Sequence, residues 1–271
     1  MHQASVGFHC PECVKSGKQK VIQGAAAFVS QPLITQILIG VNVAMFVIGC
    51  IVDKAFNVGF GGGSGSWETH FALFARFWEH GSNLYIVDVP GSHVVGVGAG
   101  QVYRLVTAGF MHAGLLHLAM NMYALWILGR VTEHLAGRWR FAVIYVVALL
   151  AGGLGAILLS PNEPTVGASG AIFGLMGAIF VAQRAQGIPF GRSPLLPVLI
   201  LNLVFTFGVP GISIGGHIGG LVGGAAAGWL VLDFGPRPGI DKRLPYLLCG
   251  LVAVACVVAA VMYSSGYVPH N

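Results

Sequence analysis

Seven apolar stretches, separated by charges or by Pro/Gly turns, constrain this 271-residue chain more than any other feature. They run over 33–52, 112–129, 141–159, 166–183, 195–209, 212–232 and 244–263, each near the ~20 residues an α-helix needs to cross a bilayer. Only 8% of the residues are charged and 55% are hydrophobic, where soluble domains carry roughly 25% charged residues. Hydrocarbon offers the backbone no partners, so spanning segments must bond within themselves. The expected fold is therefore an all-α polytopic membrane protein with seven helices. The second, fourth and fifth stretches are the shortest, and a short helix can stop below the membrane surface where protein or water lines its exposed ends.

The basic residues orient the chain. With the N-terminus inside, Lys15, Lys18, Lys20, Arg130, Arg138, Arg140, Arg184, Arg192, Arg237, Lys242 and Arg243 are cytoplasmic, and only Lys54, Arg76 and Arg104 lie outside. That asymmetry satisfies the positive-inside rule. It also accounts for the net charge of +5 without nucleic acid, since no basic run is interleaved with aromatics. The first stretch is too long for a signal peptide and is followed by Asp53 and Lys54 without a small-residue cleavage site, which makes it an uncleaved anchor. The expected division is a cytoplasmic tail over 1–30, a membrane domain over 31–265 with a long external loop at 53–105, and an external tail over 266–271.

Five scattered cysteines give no disulfide framework. In the tail, His9, Cys10 and Cys13 have the spacing of half a zinc knuckle, but a structural zinc takes four ligands. A zinc site and a plain reduced tail both remain open; no other metal or cofactor is expected. The 53–105 loop is long enough to carry function. Its glycine-serine run at 61–66 reads as a hinge, and Phe71, Phe74 and Trp78 fall on one helical face. That helix would lie in the membrane interface or pack on the outside of the bundle. No internal repeat is present, so an inverted-repeat transporter has no support.

Polar groups inside spans are costly and mark functional sites by default. The second stretch holds His112, His117 and Asn121, the fourth Ser169, and the sixth His217. Counting 1.5 Å per residue up from the charge that ends each helix puts Ser169 about 22 Å above Arg184, His217 about 24 Å above Asp233, and His117 about 20 Å above Arg130. Within a core of about 30 Å these groups share one layer. His217, Gly220, Gly224 and Gly228 form a stripe on the sixth stretch, and Gly170, Gly174 and Ala178 repeat the four-residue spacing on the fourth. Such faces permit close backbone approach, which would bring Ser169 and His217 within reach.

Taken singly, a membrane serine bonds back to its own helix and a glycine ladder is close packing. Together, these residues are what nucleophilic acyl transfer requires. A serine hydroxyl needs an adjacent base, here His217, which later returns the proton to the leaving amine. The oxyanion needs preorganised donors: the N–H groups at the start of the fourth helix, Ser169 included, with His117 and Asn121 as side-chain candidates. No acidic residue lies in a span near this layer, so the arrangement is a Ser-His dyad, with Phe173, one turn below Ser169, placed to stack on the imidazole.

On these residues the chain resembles the bacterial rhomboid intramembrane serine proteases over about 100–232, and its Cys10-Pro11-Glu12-Cys13 tail resembles the end of a cysteine-rich cytoplasmic domain found ahead of the membrane core in some actinobacterial members. Gly167-Ala168-Ser169-Gly170 is similar to that family's GxSG nucleophile motif, His217-Ile218-Gly219-Gly220 to its base motif, and His112, His117 and Asn121 to its second-helix signature. The resemblance implies a six-helix core plus one C-terminal helix. It implies cleavage of transmembrane proteins in or near their spans, with Ser169 as nucleophile, His217 as base, and His117 and Asn121 supporting the oxyanion. Tyr103-Arg104 stands where the family has Trp-Arg, and Glu133 falls at a structural family position. The expected location is the plasma membrane, with the site opening to the outer face and substrate helices weakened by Gly or Pro favoured. An inactive relative that binds membrane clients would have lost Ser169 or His217, and a transporter would carry solute independently of Ser169.

Overall fold

The computed structural model describes residues 2–3, 8–9, 31–59, 66–80, 83–85, 90–208 and 211–267. It divides into two units, Met1–Gln31 and Pro32–Asn271. In the first, strands β1 (His2–Gln3) and β2 (Phe8–His9) pair antiparallel, His2 opposite His9. Cys10 and Cys13 of the half knuckle lie outside the described residues.

The second unit is a helical membrane bundle. All seven expected spans are helices: α1 (Leu33–Asp53), α4 (Leu115–Ala136), α5 (Arg138–Leu159), α6 (Ser169–Ala185), α7 (Leu196–Gly208), α8 (Ile214–Gly228) and α9 (Leu244–Gly266). The short helices α2 (Ser66–Phe71) and α3 (Arg104–Thr107) lie between α1 and α4. Large apolar residues stay exposed on the outer faces of the bundle, among them Ile37 on α1 and Leu251 on α9, as lipid contact requires. Phe141, Ile144, Leu125, Leu175 and Met176 fill the centre.

Helix α8 is wedged between α5 and α6. The expected stripe meets α6: a side chain at Gly220 would run into the Gly170 carbonyl, one at Gly224 into Gly174, and one at Gly228 would come within 2.8 Å of Ala178. A second face, which the stripe does not include, meets α5, where Gly215 abuts Gly155 and Gly219 abuts Ala151. With backbones in contact, dispersion and packing replace the hydrophobic effect that lipid cannot supply.

Three local expectations are corrected. Helix α4 begins at Leu115, not at 112, because Gly114 is extended (φ −176°) and the Leu115 N–H is taken by the Asn57 carbonyl at 2.8 Å. His112 therefore precedes the helix. At 22 residues α4 is also a full-length span, bent by 95° from the preceding 104–110 segment, which leaves α6 and α7 as the short apolar helices. Finally, Phe71, Phe74 and Trp78 do not share a helical face. Helix α2 ends at Phe71 because the Arg104 guanidinium takes the Thr69 and Ala72 carbonyls at 2.9 and 2.7 Å. Leu73 then pairs with Thr165, and Trp78 joins β3 (Phe77–His80), the central strand between β4 (Asn83–Tyr85) and β5 (His93–Val95). Phe74 is buried, with the Arg104 guanidinium 4.4 Å above its ring.

Glu133 joins α1 to α4. Its buried carboxylate accepts from the Ile34 and Thr35 N–H groups (3.1 and 2.9 Å) and the Thr35 hydroxyl (2.8 Å). A negative charge at a helix N-terminus satisfies groups that have no partner within the helix and opposes its dipole.

Candidate active site

Ser169 is the first residue of α6 and His217 lies in the first turn of α8. Both positions follow from local turns. Gly167 takes φ +118°, a conformation side chains avoid, and delivers the chain from the Thr165–Leu73 bridge into α6. Ser213 caps α8, its hydroxyl accepting from the Gly216 N–H at 3.1 Å, which sets His217 one residue further on. The contact between Gly170 and Gly220 then closes the gap. Ser169 Oγ lies 2.7 Å from His217 Nε2.

The imidazole is held on its remaining sides. Phe173 stacks on it, ring centroids 4.1 Å apart and planes 15° from parallel. Its Nδ1 lies 2.7 Å from Thr206 Oγ1, on α7. Thr206, like Ser169 and His217, is a polar residue inside a span, and that is the signal by which the sequence could have revealed it.

His117 and Asn121 face the same cavity from the first two turns of α4. Among the described residues neither bonds to Ser169 or His217; Asn121 Nδ2 donates to the His117 carbonyl at 3.0 Å, which leaves its second amide hydrogen uncommitted. A side chain at Gly167 would meet His117 Nε2 at 2.8 Å and Ser169 Oγ at 3.8 Å, so the missing side chain is what keeps the space between them open. Among the described residues the N–H groups of Ser169 and Gly170, in the first turn of α6, have no backbone acceptor, and the helix dipole favours negative charge there. His112 stands behind His117, the rings edge to face at 5.0 Å, and does not line the cavity.

The cavity has a volume of about 250 Å³ and is bounded by Ser169, His217, His117, Asn121 and Phe173, by Asn202 and Thr206 of α7, and by Glu68 of α2. A second cavity of about 30 Å³ adjoins Ser169 on the α5 side, beside Gly152 and Ser213, with room for water. Glu68 is a carboxylate that sequence reasoning does not bring to the site, because it arrives from the loop. Burial, and secondarily the charge of Asp53, raises its pKa to about 7. Among the described residues no group of three or more His, Cys, Asp or Glu is placed to hold a metal ion.

Residues 99–234 match the family model of the rhomboid domain. The chain is 32% identical to rhomboid protease GluP of Bacillus subtilis, over 92% of this chain and 44% of that protein. It is 30% identical to RHOMBOID-like protein 7 of Arabidopsis thaliana, over 62% of this chain and 57% of the relative. It is also 30% identical to rhomboid-type serine protease 2 of Emericella nidulans, over 49% of this chain and 27% of the relative. The chain thus spans about half the length, or less, of these curated relatives.

Proposed function

The chain belongs to the rhomboid family, and on that premise we propose that it is an intramembrane serine endopeptidase hydrolysing peptide bonds in or near the transmembrane segments of other membrane proteins. The observation that carries this reading is the 2.7 Å contact between Ser169 Oγ and His217 Nε2, made at the wall of a cavity inside a membrane bundle.

In the proposed reaction His217 Nε2 accepts the Ser169 proton as Oγ attacks the scissile carbonyl carbon. The resulting oxyanion faces the first-turn N–H groups of α6, with Asn121 and His117 as side-chain donors. The tetrahedral intermediate collapses as the imidazolium passes its proton to the leaving amine. Water, deprotonated by the same base, then hydrolyses the acyl-enzyme. Among the described residues no carboxylate stands behind His217; Phe173 and Thr206 hold the ring instead. A peptide bond within a helix has its carbonyl engaged, so the substrate segment must unwind in the cavity, and Gly- or Pro-weakened helices are favoured.

The orientation belongs to the same proposal: N-terminus cytoplasmic, by the distribution of Lys and Arg, in the plasma membrane, with the cavity towards the outer face. The protein reconstituted in liposomes with a fluorogenic transmembrane-peptide substrate tests it. Cleavage is expected for the wild type and a loss of roughly 10⁴-fold or more for Ser169→Ala and for His217→Ala. Substantial cleavage by either variant would remove the dyad.

A further inference from the structure

The neighbour of His217 on the side away from Ser169 is a hydroxyl, and the partners of that hydroxyl are unequal. Thr206 Oγ1 lies 2.7 Å from His217 Nδ1 and 2.7 Å from the Asn202 carbonyl oxygen. Thr206 is 2% exposed, so water does not compete for these positions. A carbonyl can only accept, and a hydroxyl has one proton to give. The proton of Thr206 is therefore committed to Asn202, and what remains for the imidazole is a lone pair.

That asymmetry fixes the tautomer. His217 Nδ1 must carry the hydrogen in order to bond to Thr206, so in the neutral ring Nε2 is the unprotonated nitrogen. Nε2 is the atom 2.7 Å from Ser169 Oγ, and it can accept from the serine hydroxyl only in that tautomer. One chain of donors then runs from Ser169 through His217 and Thr206 to the Asn202 carbonyl, every step in the same sense. A threonine bonding to the carbonyl four residues back is ordinary by itself, and Thr132 does the same with Leu128 at 2.8 Å. Thr206 differs because a catalytic imidazole occupies its other face.

We propose that Thr206 is a positioning residue, filling the role that a buried carboxylate has in soluble serine proteases by selecting the Nδ1–H tautomer of His217 and fixing its ring. When the Ser169 proton moves to Nε2, Nδ1–H stays bonded to Thr206 Oγ1 and the hydroxyl proton stays on Oγ1, bonded to Asn202. One proton is transferred, and the positive charge of the imidazolium faces the oxygen of Thr206. A neutral acceptor supports that charge less strongly than a carboxylate but costs no buried negative charge. Thr206 sits on α7, the helix that also supplies Asn202 and Phe205 to the cavity wall. Outward displacement of α7 therefore removes the acceptor from His217, so opening the cavity on this side and misaligning the base are one event.

The proposal rests on the protease reading, and its test separates the two. In the resting Ser169→Ala protein, ¹⁵N spectra of labelled histidine should show His217 protonated at Nδ1, a result independent of proteolysis. Predominant Nε2–H in that spectrum would overturn the proposal even if cleavage is real. In the protein with Ser169 intact, Thr206→Val, which keeps the shape and removes the acceptor, should lower kcat about tenfold with KM within twofold and a mixed tautomer signal. Thr206→Ser should recover most of the loss. A Thr206→Val enzyme that retains wild-type kcat, or a Thr206→Ser enzyme as impaired as the valine variant, would contradict the role. Should the valine variant fail to fold, the resting spectrum still decides.

Discussion

Helices α7 and α8 both position the imidazole of His217, and they are held in opposite ways. Helix α8 carries the ring and lies backbone against backbone on α5 and α6, through Gly215 and Gly219 on one side and Gly220 and Gly224 on the other. Helix α7 supplies Thr206 behind the ring, yet within its Leu196–Gly208 span only Leu199 and Thr206 are buried, while Ile200, Leu201, Val204 and Phe207 point outward. The difference separates two tasks. The distance between Ser169 and His217 is set by an interface with no slack, since interiors deform little and glycine contacts leave no side chain to repack. The cavity wall that α7 forms is a short helix that few side chains anchor.

Substitutions on the α8 side should have the largest effect. Gly220→Val would drive a side chain into the Gly170 carbonyl, an overpacking that neither backbone can relieve. The expected result is loss of measurable cleavage and a fall in Tm of at least about 5 °C, read by the liposome assay and a thermal scan. Val204→Ala on the outward face of α7 should leave cleavage within about twofold of wild type. Comparable losses in the two variants would mean that the bundle is uniformly sensitive and that the contrast between α7 and α8 has no functional content.

Glu68 lines the same cavity from α2, and the effect of replacing it should be the smallest. Burial raises its pKa from 4.5 to about 7, so between those values the folded protein holds a proton that the unfolded chain has released. Stability from this group is present below about pH 4.5 and is lost as the pH rises to about 7. Glu68→Gln should therefore raise Tm by about 2 °C at pH 8 and change it little at pH 4.5. An equal shift at both pH values would mean that packing, not ionisation, is responsible.

Much of this was legible in the sequence because the membrane restricts the alternatives. The apolar lengths identify the seven helices, and the expense of intramembrane polar groups singles out Ser169, His217, His117 and Asn121. The four-residue glycine spacing on the fourth and sixth stretches placed α6 against α8. Gly215, Gly219 and Gly223 have an equally regular spacing and Thr206 is a polar residue inside the fifth span, so the α5 contact and the group behind His217 carry the same kind of sequence signal. Other features depend on partners distant in the chain. Helix α2 ends where Arg104 takes the Thr69 and Ala72 carbonyls, α4 starts late because the Asn57 carbonyl takes the Leu115 N–H, and Glu68 reaches the cavity only when its loop is folded against the bundle. None of these has a local signature in Phe71–Trp78, His112–Leu115 or Ser66–Phe71.

The central claim is that Ser169 is a nucleophile because His217, held across the glycine interface, activates it. The most direct test is labelling of the detergent-purified protein by a serine-directed fluorophosphonate, with the modified residue located by mass spectrometry. The account predicts modification of Ser169, with a rate that falls by roughly 10³-fold or more in His217→Ala. Equal labelling of Ser169 in wild type and His217→Ala, or labelling of a different serine, would contradict it.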